Sequence, residues 1–111
     1  VRTVPKKSIW KVKIIRSIDK RIPLDDLAME LKMSFEDFLT EIETIVYSGT
    51  KLNIDYFIEE ILDEENIEDI YDYFMHSNTD SIDAAVKEFD GEFSDDEIRL
   101  VRIKFISEMA N

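Results

Sequence analysis

The chain comprises 111 residues, 44% hydrophobic and 11% aromatic, with 26 acidic side chains against 14 lysines and arginines and a formal net charge of −12. That composition excludes a disordered tail and suffices for one domain around one core. Cysteine is absent, which excludes a disulfide framework or a thiolate metal site, and no apolar run nears the ~18 residues of a membrane span. No signal-peptide pattern opens the chain, so a soluble, cytoplasmic domain is expected. Its first residue is Val1 rather than Met, which reads as a piece of a longer protein.

With two glycines, two prolines and no sustained alternation of period two, the sequence predicts an all-α, compact multi-helix bundle of about seven helices. The first helix spans about 8–20, with Ile9, Trp10, Ile14, Ile15 and Ile18 on its apolar side. Residues 1–21 form a basic arm that holds eight of the fourteen bases against one acid, Asp19, whereas the remaining ninety residues hold 25 acids and six bases. The arm attracts nucleic acid and the body repels it. Its candidate DNA contacts are Lys7, Lys11, Lys13, Arg16, Lys20 and Arg21. Lys13, Arg16 and Lys20 share one face by their spacing, and Lys7 and Lys11 occupy an adjoining stripe. Trp10 either stacks a base or anchors the core.

Residues 22–50 have the spacing of a helix-turn-helix. Pro23 biases Ile22 away from helical geometry, and the second helix follows with Asp25 and Asp26 near its positive end. Leu24, Leu27, Ala28 and Leu31 are its apolar positions, with Ala28 small enough for a close helix crossing. Lys32 stands in the turn where glycine often supplies a left-handed conformation. Ser34, with Asp37 three residues on, predicts the cap of a third helix. That helix carries a stripe of Phe35, Phe38, Leu39, Ile42, Ile45 and Val46 and ends at Gly49. Its outward positions are Glu36, Asp37, Thr40, Glu41, Glu43 and Thr44. Carboxylates facing phosphates oppose binding that normally gains from counterion release, and a major-groove reader wants Arg, Lys, Asn or Gln there. This helix-turn-helix reads as architecture rather than as a reading head.

Residues 51–111 form an acidic helical remainder. Asn53 is the expected cap of a fourth helix through Leu62, packing Phe57, Ile58 and Ile61. Asp63 starts a fifth with Ile67, Ile70, Tyr71 and Phe74. Asp80 or Ser81 opens a sixth with Ile82, Ala85, Val86 and Phe89, terminated by Gly91. Ser94 and Glu97 make a capping box for a last helix whose core face is Ile98, Val101, Phe105, Ile106 and Met109. Arg99, Arg102 and Lys104 are secondary basic candidates, for phosphates or for nearby acids.

Catalytic chemistry finds no support. His76 is the only histidine, no nucleophile is spaced from it in a familiar way, and the paired carboxylates fit helix starts and wet faces. Gly49 and Gly91 lie too far apart for a phosphate loop. Glu88, Asp90, Ser94 and Glu97 around Gly91 loosely imitate a calcium loop, but Val86 stands where the first ligand belongs. No catalytic residue, metal ligand or cofactor is assigned to the segment.

The phrases "IPLDDLA", "IVYSGTKLNIDY" and "EIRLVRIKF" carry a resemblance that extends over Lys7 to Asn111. The chain resembles the C-terminal end of RecQ-family ATP-dependent DNA helicases of a Bacteroides-like bacterial type. The resemblance implies a single helix-turn-helix-like accessory domain over 1–111, beyond the motor, the zinc and winged-helix region and the HRDC module. Its matched positions, Leu27, Ala28, Leu31, Met33, Ser34, Phe38 and Leu39, are packing positions. ATP, Mg and Zn would belong to the parent's other domains, which would supply 3′-to-5′ unwinding in DNA repair and recombination. The segment itself is then expected to dock. Its acidic body would contact the basic DNA channel of its own motor or a basic partner protein, while the arm holds DNA weakly and without sequence preference. Two other readings stay open: a sequence-specific helix-turn-helix of a transcription regulator, and a structural terminal cap.

Overall fold

In the computed structural model the described residues are 6–109, with side chains from Trp10 onward. Arg2 and the side chains of Lys6, Lys7 and Ile9 lie outside them. Seven helices follow one another among these residues: α1 (Lys6–Asp19), α2 (Leu24–Glu30), α3 (Phe35–Tyr47), α4 (Asp55–Ile61), α5 (Glu64–His76), α6 (Ile82–Glu88) and α7 (Asp95–Met109). The expected all-α bundle with a helix-turn-helix unit is what the chain forms.

Local chemistry sets most of the boundaries. Ser34 Oγ accepts from the Asp37 N–H at 3.0 Å and Ser81 Oγ from the Ala84 N–H at 3.2 Å, which satisfies amides that the first helical turn leaves unpaired. The box is complete only before α7. There Glu97 N–H donates to Ser94 Oγ at 3.1 Å, and Ser94 N–H donates to Glu97 Oε1 at 2.8 Å. Asp37 is one methylene shorter than Glu97 and makes no such return bond among the described residues.

Four helices end on a left-handed residue, and three of these are not glycine: Arg21 (φ 61°), Lys32 (φ 60°) and Asp90 (φ 58°), beside Gly49 (φ 99°). At the helix-turn-helix turn, Lys32 N–H donates to Met29 O and Met33 N–H to Ala28 O, the paired bonds of a Schellman ending. Lys32 thus adopts the conformation the turn requires without being glycine. At the end of α6 Asp90, not Gly91, takes the first left-handed position, and Gly91 follows at φ 73°.

Three further expectations are corrected. Asn53 does not cap α4: Ile54 occupies the cap position, and Asn53 Oδ1 accepts from Asp55 N–H two residues on, as an Asx turn does. Ile61 is 42% exposed, because the chain becomes extended at Leu62 and turns that residue inward instead. Met109, placed on the core face of α7, is 50% exposed.

The core is one continuous cluster running from Ile14 and Ile18 of α1 to Ile103 of α7. α7 is its axis. It packs against α3, α4, α5 and α6, and buries Leu100 and Ile103 as well as the expected Ile98 and Val101. Buried Ser107 fastens it to the segment before α4, its Oγ accepting from Leu52 N–H at 2.8 Å and donating to Leu52 O at 2.9 Å. α1 packs on α2 and α3, and Tyr56 of α4 donates its hydroxyl to Ile22 O in the turn after α1. The body measures 46 × 27 × 25 Å.

Candidate nucleic-acid interface

α1 turns Ile14 and Ile18 into the core, which leaves Arg16 and Val12 pointing outward. Lys13 lies one turn before Arg16 and is half-exposed; Lys20 and Arg21 follow in the turn and are exposed. Arg16 and Lys20 have no ion pair with the described residues. Lys13 Nζ meets Glu30 Oε2 of α2 at 2.6 Å, but with 42% and 56% of the two side chains exposed, this pair is worth little and water competes for both groups. The six candidates do not form one surface. At 3.6 residues per turn Lys11 stands roughly 160° around the helix from Lys13, half-buried on the opposite flank. Lys7 falls outside the described side chains. Trp10 is half-buried and packs against the core cluster.

The outward side of α3 keeps its acidic character in part. Glu36, Asp37, Thr40 and Thr44 are exposed and Glu41 is half-buried. The two threonine hydroxyls donate back to carbonyls one turn earlier, Thr40 to Glu36 O and Thr44 to Thr40 O. Glu43 departs from the expected pattern and does not face solvent freely. Its side chain is 14% exposed and receives three bonds from α7. Arg99 grips it as a fork, Nε to Oε2 and Nη2 to Oε1, both at 2.9 Å. Arg102 Nη2 adds a third bond at 2.8 Å. Bidentate, charge-assisted bonds of this kind are the strong ones. Burial pushes the Glu43 carboxyl up, yet the hydrogen bonds and charges of Arg99 and Arg102 together hold it below the usual carboxylate range.

The same arginines extend the contact. Arg99 Nη2 donates to Thr40 Oγ1 at 3.1 Å, and Arg102 Nη1 donates to Asp80 O at 2.7 Å. Tyr47, at the end of α3, donates its hydroxyl to Asp80 Oδ2 at 2.6 Å, with the Arg102 guanidinium 6.0 Å from its ring centre. Lys104 is likewise engaged, 3.0 Å from Asp55 Oδ1 and 2.8 Å from Glu108 Oε2. All three secondary basic candidates therefore sit in ion pairs with acids of the chain. Sequence reading missed Glu43 as a structural hub because helical period places it outward on α3, and its partners lie 56 and 59 residues further on.

Carboxylates gather elsewhere too. Asp55, Glu59, Asp63, Glu64 and Glu68 line a groove of about 600 Å³ between α4 and α5. Ser94 and Glu97 serve the cap of α7, and His76 is exposed at the end of α5 with Nδ1 3.0 Å from Asp72 O. No group of three or more His, Cys, Asp or Glu among the described residues is arranged to hold a metal ion. No described helix is long and apolar enough to cross a membrane.

An all-α body built around a helix-turn-helix, with an acidic second helix and a basic helix before it, is thus the class of protein at hand. Residues 8–58 match the family described as RecQ-1-like, helix-turn-helix domain, which supports a RecQ-family helix-turn-helix accessory domain over that stretch. The match takes in α2 and α3, all but the first two residues of α1, and the first four residues of α4. It covers a little under half of the 111 residues, and α5, α6 and α7 lie beyond it. No curated protein matches the chain.

Proposed function

We propose that this chain is a non-catalytic accessory module of a RecQ-like, ATP-dependent 3′-to-5′ DNA helicase acting in DNA repair and recombination in a bacterial cytoplasm. Its role is docking and regulation, with an auxiliary, sequence-independent grip on DNA through α1. The family match supports the helicase setting. One observation carries the assignment of the grip: Arg16 and Lys20 face solvent with no ion pair among the described residues, beside Lys13, whereas Arg99, Arg102 and Lys104 are each committed to carboxylates of the chain. Positive charge left over for phosphates is therefore concentrated on the α1 side. The acidic remainder is the surface that docks, against the basic DNA channel of the parent motor or a basic partner protein, where it competes with nonspecific DNA. ATP, Mg and Zn belong to other domains of the parent.

Fluorescence anisotropy with single-stranded and forked DNA, at low and moderate salt, tests the grip. Binding is expected to weaken steeply with salt and to vanish when Lys13, Arg16 and Lys20 are all changed to Glu. Binding that survives those three changes would overturn the assignment to α1.

A further inference from the structure

The second helix of a helix-turn-helix lies in the major groove, so a further helix packed along its exposed flank obstructs that approach. In this chain one flank of α3 is already occupied. α7 lies along it, and Arg99 and Arg102, one turn apart on α7, reach across to Thr40 and Glu43 in the middle of α3. Glu43, Arg99 and Arg102 side chains are only 13–14% exposed, so this flank is packed as a helix interface and not as a loose surface bridge. The contact continues to the end of α3, where Tyr47 is tied to Asp80 and Asp80 to Arg102. The helix responsible lies outside the stretch that matches the helix-turn-helix family.

We infer that α7 is the resident partner of the α3 reading surface: the chain's own C-terminal helix closes the helix-turn-helix from within, so that duplex DNA is refused by packing as well as by charge. Glu43 would then be the residue that changes the surface from DNA-facing to protein-facing. Its carboxylate binds two arginines of the chain at a position where a groove reader would direct a donor to a base. Closure from within also gives the α1 side its role, as the surface of the unit left open to a phosphate backbone.

Charge and packing can be separated, because the side chains of Glu36, Asp37 and Glu41 make no hydrogen bond or ion pair with α7 among the described residues, and Glu36 adds only a coulombic pull on Arg99. Glu36→Gln, Asp37→Asn and Glu41→Gln together remove the repulsion and leave the Glu43 fork intact. They are placed in a chain that also carries Lys13→Glu, Arg16→Glu and Lys20→Glu, so that the outcome does not depend on the α1 grip. Circular dichroism establishes that the variant is helical, and Glu36→Gln with Asp37→Asn is the milder substitute. Mixed-sequence duplex DNA is titrated by anisotropy, and a cross-linker attached at Thr44→Cys reports contact with bases. If packing closes the surface, duplex affinity stays within about twofold of the parent variant and no base cross-link forms. A gain above about tenfold, the scale on which neutralised phosphate contacts act, together with a cross-link from position 44, would mean that charge alone kept α3 away from DNA and would overturn the inference.

Discussion

Glu43 is largely withdrawn from solvent, with 14% of its side chain exposed, yet keeps the chemistry of a surface residue. Two guanidinium groups of α7 converge on its carboxylate, and removing the acid leaves both poorly hydrated and without their main partner. Glu43→Ala is expected to destabilise the fold by about 3 kcal/mol, the scale for breaking a buried ion pair from one side. Glu36→Ala, at an exposed position, is expected to have a much smaller effect; urea unfolding of the two variants makes the comparison. Lys32 presents the opposite case. A side chain at φ 60° is strained wherever it sits, and Lys32 is exposed with its bulk in water. Lys32→Gly should therefore stabilise the protein by about 1 kcal/mol, visible as a higher melting temperature. A lower one would mean that the lysine chain contributes packing that outweighs the relief. Ser107 satisfies both the amide and the carbonyl of Leu52, so Ser107→Ala should cost about 2 kcal/mol by orphaning two buried polar groups.

At the scale of elements, α3 and α7 show what a single sequence reveals and what it hides. The α3 stripe repeats at three- and four-residue intervals, and its cap is a serine whose hydroxyl needs only the next turn, so both were legible. The caps of α6 and α7 were legible for the same reason: every atom involved lies within three residues. α7 was legible in part: pairing of its cations with acids was one of two expectations, and the ion pairs bear it out, but which acids receive them was hidden. Arg99, Arg102 and Lys104 interrupt its apolar residues, and those charges look like a wet side until their partners on α3 and α4 are known. Ile61 failed similarly, since helical period cannot foresee that the chain becomes extended one residue later. For the basic arm, spacing separated Lys13, Arg16 and Lys20 from the Lys11 stripe, whereas the Lys13–Glu30 contact depends on how α2 folds back and left no trace in the spacing.

For the whole molecule, ionisation sets a window of stability. Glu43 and Glu108 are held below the usual carboxylate range, in each case by cations and hydrogen bonds that outweigh the upward push of burial. Groups lowered in the folded state contribute stability that is present above their unfolded value near 4.5 and disappears as pH falls through the folded one. On the alkaline side Tyr47, Tyr56 and Tyr71 are pushed up to about 12, in each case chiefly by burial, with Asp80 assisting at Tyr47 and Glu108 at Tyr71. Protons held more tightly by the folded chain mean that stability is full below pH 10 and is lost as pH rises from there towards 12. Thermal melting across pH should therefore show a plateau that falls below about pH 4.5 and above about pH 10, and Tyr56→Phe should soften the alkaline decline. The same charges define how the molecule meets a partner, with a basic helix at one place and carboxylates over most of the remainder.

The assignment of the DNA contact to α1, and not to the helix-turn-helix surface, is tested most directly by a residue-resolved NMR titration with a short single-stranded oligonucleotide at low salt. Amide shifts confined to Lys13–Arg21 and reversed by added salt are the predicted result. Shifts centred on Glu36–Thr44 with α1 silent would contradict the account, and would return α3 to the role its architecture suggests.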